Sequence, residues 1–416
     1  MRSAINNPFS PGSDTVPQVW AGRVEQLADW DNIVRPRRVG GLPERGRTIL
    51  GEAGLGKSAL VRRIANRAES CGDWTTPQLR MPAGADSLKV VATAALTLAD
   101  RAGLPAQREK RIKDLLGRVR TVAIHGMSLT VERATGPEPY AALTALLVEI
   151  GIAAIKNDCA VLIHIDEVQN INSNNGNNNN ELSHLLISLG DAITYERKVI
   201  APGGVEFARV LPIALYLTGL PDFAEKAGAS KGATFARRFA TTTLSPLEDD
   251  DLAMSLLPFV TSGWEVADDQ GGTERVWMTP EASQKIIKLC CGEPFLFQLA
   301  GERAWYAGTS NHITVSEVID GWATVREEAV SHVERILDRL PGRERQFLEK
   351  MAGLEPEERT LTTIARAMGL DDAAQAGPLA QRLDTIRGII RRGRPYVFRN
   401  RAVEAYLTSD WPHISV

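Results

Sequence analysis

The stretch Gly51-Glu52-Ala53-Gly54-Leu55-Gly56-Lys57-Ser58 fits the pattern G-x-x-x-x-G-K-[ST] without a mismatch. Glycines at this spacing let a backbone curl until successive N–H groups point inward at phosphate oxygens, with a helix N-terminus behind them. Lys57 then reaches the β- and γ-phosphates and Ser58 ligates Mg2+, which is the chemistry of a nucleotide site. A second candidate follows. Residues 159–165 form a near-continuous apolar run that ends in Asp166-Glu167. Such a run suits a parallel strand covered on both faces, and its C-terminal edge is where ligands bind in open α/β sheets. There Asp166 can hold Mg2+ through water and Glu167 can polarise an attacking water. His164, inside the run, reads as a strand residue with a satisfied imidazole rather than a catalyst.

These side chains work only if particular elements position them. A glycine-rich turn can match the first pattern by chance; the context that separates the two is a buried strand before the loop and a helix after it. Arg47-Thr48-Ile49-Leu50 ends apolar and residues 58–65 carry apolar side chains at helical spacing, so both flanks comply. The most apolar segment, residues 140–155, is too short to span a membrane and carries Glu149, so a helix packed on the sheet is expected there. Residues 210–218 supply another apolar strand, broken by Gly219-Leu220-Pro221. The chain has 416 residues, beyond the roughly 250–300 at which one core stops growing, so two or three domains are expected. A formal net charge of −3 excludes a globally basic nucleic-acid coat but leaves room for a local basic face. Cys71, Cys159, Cys290 and Cys291 show no C-x-x-C pairing and the N-terminus shows no apolar secretory region, which fits a cytoplasmic protein with no membrane role.

The remaining segments are read from composition and period. Residues before Trp20 are rich in Asn, Pro, Ser and Gly, an extended arm with few regular backbone bonds, and residues 19–27 read as a short strand turning at Gly22 into a helix. A strand is expected at 76–81, an amphipathic helix at 87–102 and a strand at 122–131. The basic run at 107–120 is either a solvated helix face or a nucleic-acid surface. Residues 170–180 are almost entirely Asn, Ser and Gly and cannot bury a core; they form a solvated insertion or a loop that senses nucleotide or touches a partner. From Ser245 to Leu340 the texture is helical apart from a Gly- and Asp-rich break at 268–274. Beyond it, a helix at 344–351 precedes two helices at 361–370 and 378–387 with Gly369 at the turn. Two short strands around a basic turn at 389–398 complete a winged-helix order, and Arg387, Arg391, Arg392, Arg394 and Arg399 concentrate positive charge there.

Several boxes carry a resemblance. Val19-Trp20-Ala21-Gly22-Arg23-Val24-Glu25-Gln26-Leu27 resembles the hydrophobic-hydrophobic-Gly-Arg-x-x-Glu box that precedes the phosphate loop in STAND-type and origin-recognition-type AAA+ ATPases, with Gln26 where those families usually have Glu. Phe235-Ala236-Arg237-Arg238-Phe239 resembles their arginine box, and Cys290-Cys291-Gly292-Glu293-Pro294-Phe295 the Gly-x-Pro box of STAND ATPases. In this order of parts the chain resembles the AAA+/STAND class of P-loop ATPases, nearest to the origin-recognition and transposition-regulator types. The resemblance implies an α/β fold, a P-loop NTPase parallel sheet core (residues 1–246) with a helical lid (247–340) and a C-terminal winged-helix domain (341–416). It implies ATP and Mg2+ as cofactors. Gly51, Glu52, Ala53, Gly54, Leu55, Gly56, Lys57, Ser58 and Ala59 would hold the nucleotide, with Gly22 and Arg23 on the adenine side and Pro294 as an apolar wall. Ser58 and Asp166 would ligate Mg2+. Glu167, Lys57, Thr218 at the sensor 1 position and one of Arg237 and Arg238, as a finger into a neighbouring subunit, would be catalytic. The lid lacks the sensor 2 arginine at Phe295, with Arg303 as a substitute. Arg387, Arg391, Arg392 and Arg394 either contact double-stranded DNA or belong to a protein-only clamp or oligomer surface. The implied function is an ATP-binding, slowly ATP-hydrolysing switch that controls oligomer or DNA assembly and forms a homo-oligomer in its ATP state. The alternative is a nucleotide-dependent signalling scaffold that recruits protein partners without DNA.

Overall fold

Two apolar strands dominate the architecture. Val161–Asp166 and Ile213–Gly219 are buried at every position, as strands covered on both faces must be. They belong to a computed structural model of the protein in which residues 2–12, 15–103, 139–172, 181–200, 204–227, 237–267 and 272–413 are described. The basic run at 107–120, the strand expected at 122–131, residues 173–180 of the Asn-rich loop and Phe235-Ala236 lie outside the described residues. The chain forms two units, each discontinuous in sequence: Val24–Leu50 with Leu60–Thr242, and Met1–Arg23 with Gly51–Ala59 and Thr243–Val416. We refer to them as the sheet unit and the lid unit.

The first eight strands are β1 (Gly46–Leu50), β2 (Trp74–Thr75), β3 (Leu79–Arg80), β4 (Val161–Asp166), β5 (Glu196–Ile200), β6 (Glu206–Val210), β7 (Ile213–Gly219) and β8 (Phe239–Thr243). The main sheet runs β2-β4-β7-β1-β8, with β3 also on β4. The pairs β1–β7, β4–β7, β2–β4 and β3–β4 are parallel. Register places Ile165 beside Leu217 and Ile49 beside Thr218, so the C-terminal ends of these strands are level. Helices Ser87–Arg101, Pro139–Lys156 and Glu181–Thr194 contribute Leu98, Leu147, Ile150, Leu185 and Leu189 to one core with Ile163 and Leu215 of the sheet. Each such side chain contributes about 1.5–3 kcal/mol through burial.

Two expectations change here. The strand expected at 76–81 is only Leu79–Arg80. The run 210–218 is two strands, because Pro212 has no N–H to continue a ladder; its carbonyl instead accepts from the Val161 N–H at 2.8 Å. An antiparallel hairpin, β5–β6, precedes that break.

The lid unit carries helices Asp249–Thr261, Pro280–Cys290, Pro294–Tyr306, Val315–Ala323 and Arg326–Asp338. It also carries a small sheet, β9 (Trp264–Ala267), β10 (Thr273–Met278) and β11 (His312–Ile313), where helix was expected on either side of a break at 268–274. Period two explains it: Val266, Val276 and Met278 are buried while the alternating Glu265 and Arg275 are exposed and Trp277 is half-buried. The N-terminal arm has no helix or strand among its described residues, and residues 19–21 are not a strand. The arm is nonetheless fastened. The Arg2 guanidinium donates to the carbonyls of Ala304 (3.0 Å) and Ser310 (2.8 Å) and pairs with Glu317. Phe9 stacks on Phe259, and the Gln298 amide donates to the Val19 carbonyl. The C-terminal elements are helices Gly342–Ala352, Leu361–Ala367 and Gly377–Thr385, the antiparallel pair β12 (Ile390–Arg391) and β13 (Val397–Phe398), and helix Arg401–Thr408. No helix among the described residues is long and apolar enough to cross a membrane.

Candidate nucleotide site

The phosphate loop leaves β1 and enters helix Lys57–Ser70, the strand-loop-helix context that the motif requires. Gly54 lies at φ +88° and Gly56 at φ +77°, conformations that favour glycine. At Gly54 space forbids a side chain as well: a Cβ there would meet His332 Cε1 at 2.3 Å. The Lys57 ammonium donates to the carbonyls of Gly51 (2.8 Å) and Glu52 (2.9 Å), so it is held inside the curl. Pro294 Cβ stands 3.8 Å from where a Cβ on Gly56 would be, and the Phe295 N–H donates to the Gly54 carbonyl at 3.2 Å. Arg23, at φ +61° after Gly22, donates to the carbonyls of Leu55 (3.1 Å) and Ser245 (2.9 Å). It therefore braces the loop. Burial lowers its pKa to about 10, partly opposed by Glu293 and Asp251, which leaves it charged at neutral pH.

Three buried titratable groups surround this loop. Glu52 is 2% exposed and neither carboxylate oxygen has a hydrogen-bond partner among the described residues. Burial pushes its pKa up, outweighing the attraction of Arg387, Arg339 and Lys57, and Glu293 pushes the same way. Glu293 is fully buried; its Oε1 accepts from the Asn400 amide at 2.7 Å and its Oε2 lies 3.5 Å from His332 Nε2. The His332 ring packs 5.0 Å from the ring of Phe295.

In the sheet unit, Asp166 ends β4 with its carboxylate fully engaged. Oδ1 accepts from the Thr218 hydroxyl (2.5 Å) and the Glu167 N–H (2.8 Å), and Oδ2 accepts from the Gln78 amide (2.6 Å). Since Thr218 gives its proton to Asp166, His164 Nε2, 2.9 Å away, is the donor to Thr218. Glu167 follows at φ +57°, an uncommon conformation for a non-glycine residue, and its carboxylate accepts from Gln169. Arg238 pairs with Asp191 at 3.0 Å and covers Gly190, whereas Arg237 is exposed. In the lid unit, Arg303 pairs with Glu302 at 3.6 Å.

The oxygen donors Ser58 and Asp166 are of the kind Mg2+ takes alongside phosphate oxygens and water. Among the described residues no group of three or more His, Cys, Asp or Glu side chains could hold a metal ion.

The basic C-terminal residues divide. Arg387 turns inward, its side chain 9% exposed and paired with Glu344. Arg391, Arg392, Arg394 and Arg399 are all exposed, and Arg392 and Arg399 share Asp384. Sequence reasoning missed Gln78, Glu293, His332 and Asn400. Glu293 alone had a signal: an acid between Gly292 and Pro294 at an otherwise apolar helix start.

No protein-family model matches the chain, and no curated protein matches it. Solved structures do. The Aeropyrum pernix ORC2 protein, solved as ADPNP-ADP complexes, superposes with a TM-score of 0.57 at 15% identity over 95% of this chain and 94% of that one. A Walker-type ATPase of Pyrococcus abyssi gives 0.53 at 13% identity over 93% and 96%. At these identities the likeness concerns the fold alone, which this chain shares with those two proteins over nearly its whole length.

Proposed function

We propose that the chain is an ATP-binding and ATP-hydrolysing molecular switch that controls oligomer or DNA assembly. The observation that carries this reading is the loop itself: two left-handed glycines and a lysine ammonium folded onto the Gly51 and Glu52 carbonyls. The same-fold ORC2 protein was solved with ADPNP and ADP, which supports a nucleotide as the ligand. Residues 51–59 would hold ATP, with Arg23 and Pro294 bracing the loop. Ser58 and Asp166 are the candidate Mg2+ ligands; the ion would neutralise charge on the transferred phosphoryl group. Glu167 would orient the attacking water, and Thr218 would hold Asp166 in place through their hydrogen bond. Arg237, exposed where Arg238 is paired, is the better candidate for a finger reaching a neighbouring copy. Such a finger contributes about 10³–10⁵ in rate, so turnover per site should rise with protein concentration.

The deciding measurement is thermal unfolding with and without Mg-ATP. Wild type should be stabilised by about 2.7 kcal/mol at a hundred times the dissociation constant, and Lys57→Ala should show no shift. An equal shift in both proteins would remove this loop as the site.

A second reading, a nucleotide-dependent scaffold without DNA, is favoured by the pairing of Arg387, Arg392 and Arg399 with Glu344 and Asp384. Duplex binding that weakens with salt and with Arg391→Ala/Arg394→Ala would support DNA, because phosphate contacts release counterions. No binding at low salt would leave the scaffold.

A further inference from the structure

Glu293 is an expensive packing residue. A buried carboxylate needs several donors to offset its desolvation, and this one has a single neutral amide donor and one oxygen without a hydrogen-bond partner among the described residues. Although it occupies the N-cap position of helix Pro294–Tyr306, its side chain does not cap that helix. It turns instead to Asn400 and His332. Asn400, 2% exposed, uses its other side-chain atom to cap helix Arg401–Thr408, its Oδ1 accepting from the Val403 N–H at 3.0 Å.

Two residues beside Glu293, Phe295 in the same helix start and His332 next to its carboxylate, reach Gly54. The Phe295 N–H, a donor that a helix start leaves without an intrahelical acceptor, is given to the Gly54 carbonyl. The His332 ring edge fills the space where a Gly54 side chain would be. Both constrain the backbone of the phosphate loop at a left-handed residue, φ +88°.

We propose that Glu293 and Asn400 are positioning residues for nucleotide binding: their buried hydrogen bond, together with His332, sets the conformation of the phosphate loop at Gly54 from the C-terminal part of the chain. The inference rests on the nucleotide reading of the loop. The two residues lie 107 positions apart in the sequence, and nothing in the phosphate-loop motif requires either.

The test uses calorimetric titration of the full chain with Mg-ATP. Asn400→Asp keeps an oxygen for the Val403 N–H but sets a second carboxylate against Glu293. Its dissociation constant should rise about tenfold, equivalent to about 1.4 kcal/mol. Asn400→Asp with Glu293→Gln reverses donor and acceptor across the same contact and should return the constant to within about twofold of wild type. A residue that serves the fold alone would move the melting temperature and leave the affinity unchanged. Should Asn400→Asp not fold, Asn400→Ser keeps a hydroxyl for the cap, is too short to reach Glu293, and should show the same loss. Unchanged or tighter binding in the single variant, or a loss that Glu293→Gln does not repair, overturns the proposal. Wild type and Lys57→Ala run alongside keep the two readings apart. If wild type binds no Mg-ATP, or Lys57→Ala binds it equally, the nucleotide reading itself fails. If wild type binds, Lys57→Ala does not and Asn400→Asp behaves as wild type, only the positioning role fails.

Discussion

Asp166 and Glu52 are both buried carboxylates within the two motifs, and they are buried in opposite ways. Asp166 ends a strand and accepts from a hydroxyl, an amide and a backbone N–H. Glu52 lies within the loop with no hydrogen-bond partner among the described residues, and burial pushes its pKa up. The first is anchored before any ligand arrives, since its donors are fixed by sheet register and by its own chain. The second is governed first by its burial and only then by the charges of Arg387, Arg339, Lys57 and Glu293.

The largest effect expected in stability comes from the anchored acid. Asp166→Ala leaves the Thr218 hydroxyl, the Gln78 amide and the Glu167 N–H without this acceptor, at about 1–2 kcal/mol each. Urea unfolding should therefore show a loss of roughly 3–6 kcal/mol; a loss below about 1 kcal/mol would dissolve the contrast. Next is Gly54→Ala, which must adopt φ +88° against the His332 ring. Strain of this kind costs about 1–3 kcal/mol, and adding His332→Ala should recover the part due to collision but not the part due to φ. A Gly54→Ala protein as stable as wild type would show that the loop is free to relax.

Glu52→Gln should act in the opposite direction, as a stabilising change that depends on pH. The folded-state pKa lies above the ordinary value of 4.5, so the native state holds the proton more tightly than the unfolded chain. The contribution of Glu52 is greatest below pH 4.5 and is lost as pH rises through the raised value. The variant should therefore gain more in melting temperature at pH 8 than at pH 5, and an equal gain at both would contradict the burial argument. The smallest effect belongs to the arginine box. Arg238→Ala, which breaks a partly exposed pair with Asp191, should cost no more than about 1 kcal/mol, and Arg237→Ala should leave stability unchanged while reducing turnover at high protein concentration.

The two motifs were legible because each is local: a loop of eight consecutive residues and a pair of acids at the end of an apolar run. Their strand and helix contexts were legible for the same reason, through period and burial. What surrounds them was not. Gln78 meets Asp166 across 88 positions and Asn400 meets Glu293 across 107; no spacing rule connects such pairs. The small sheet at β9–β11 was hidden because its strands are short and one is only His312–Ile313. Pro212 split a run that apolar content alone had joined, although its missing N–H was visible in the sequence.

The discontinuous make-up of the lid unit sets an order of events on the ribosome. Arg2 docks on the Ala304 carbonyl 302 residues further along, which synthesis at 5–20 residues per second reaches after roughly 15–60 s. The sheet unit closes at Thr242 and so has all its residues well before that time. Residues 51–59, although made before most of the sheet unit, belong with the arm and the C-terminal helices. The phosphate loop thus waits during synthesis: it meets Phe295 and His332 only after the roughly 240–280 residues that separate them from Gly54 have been made.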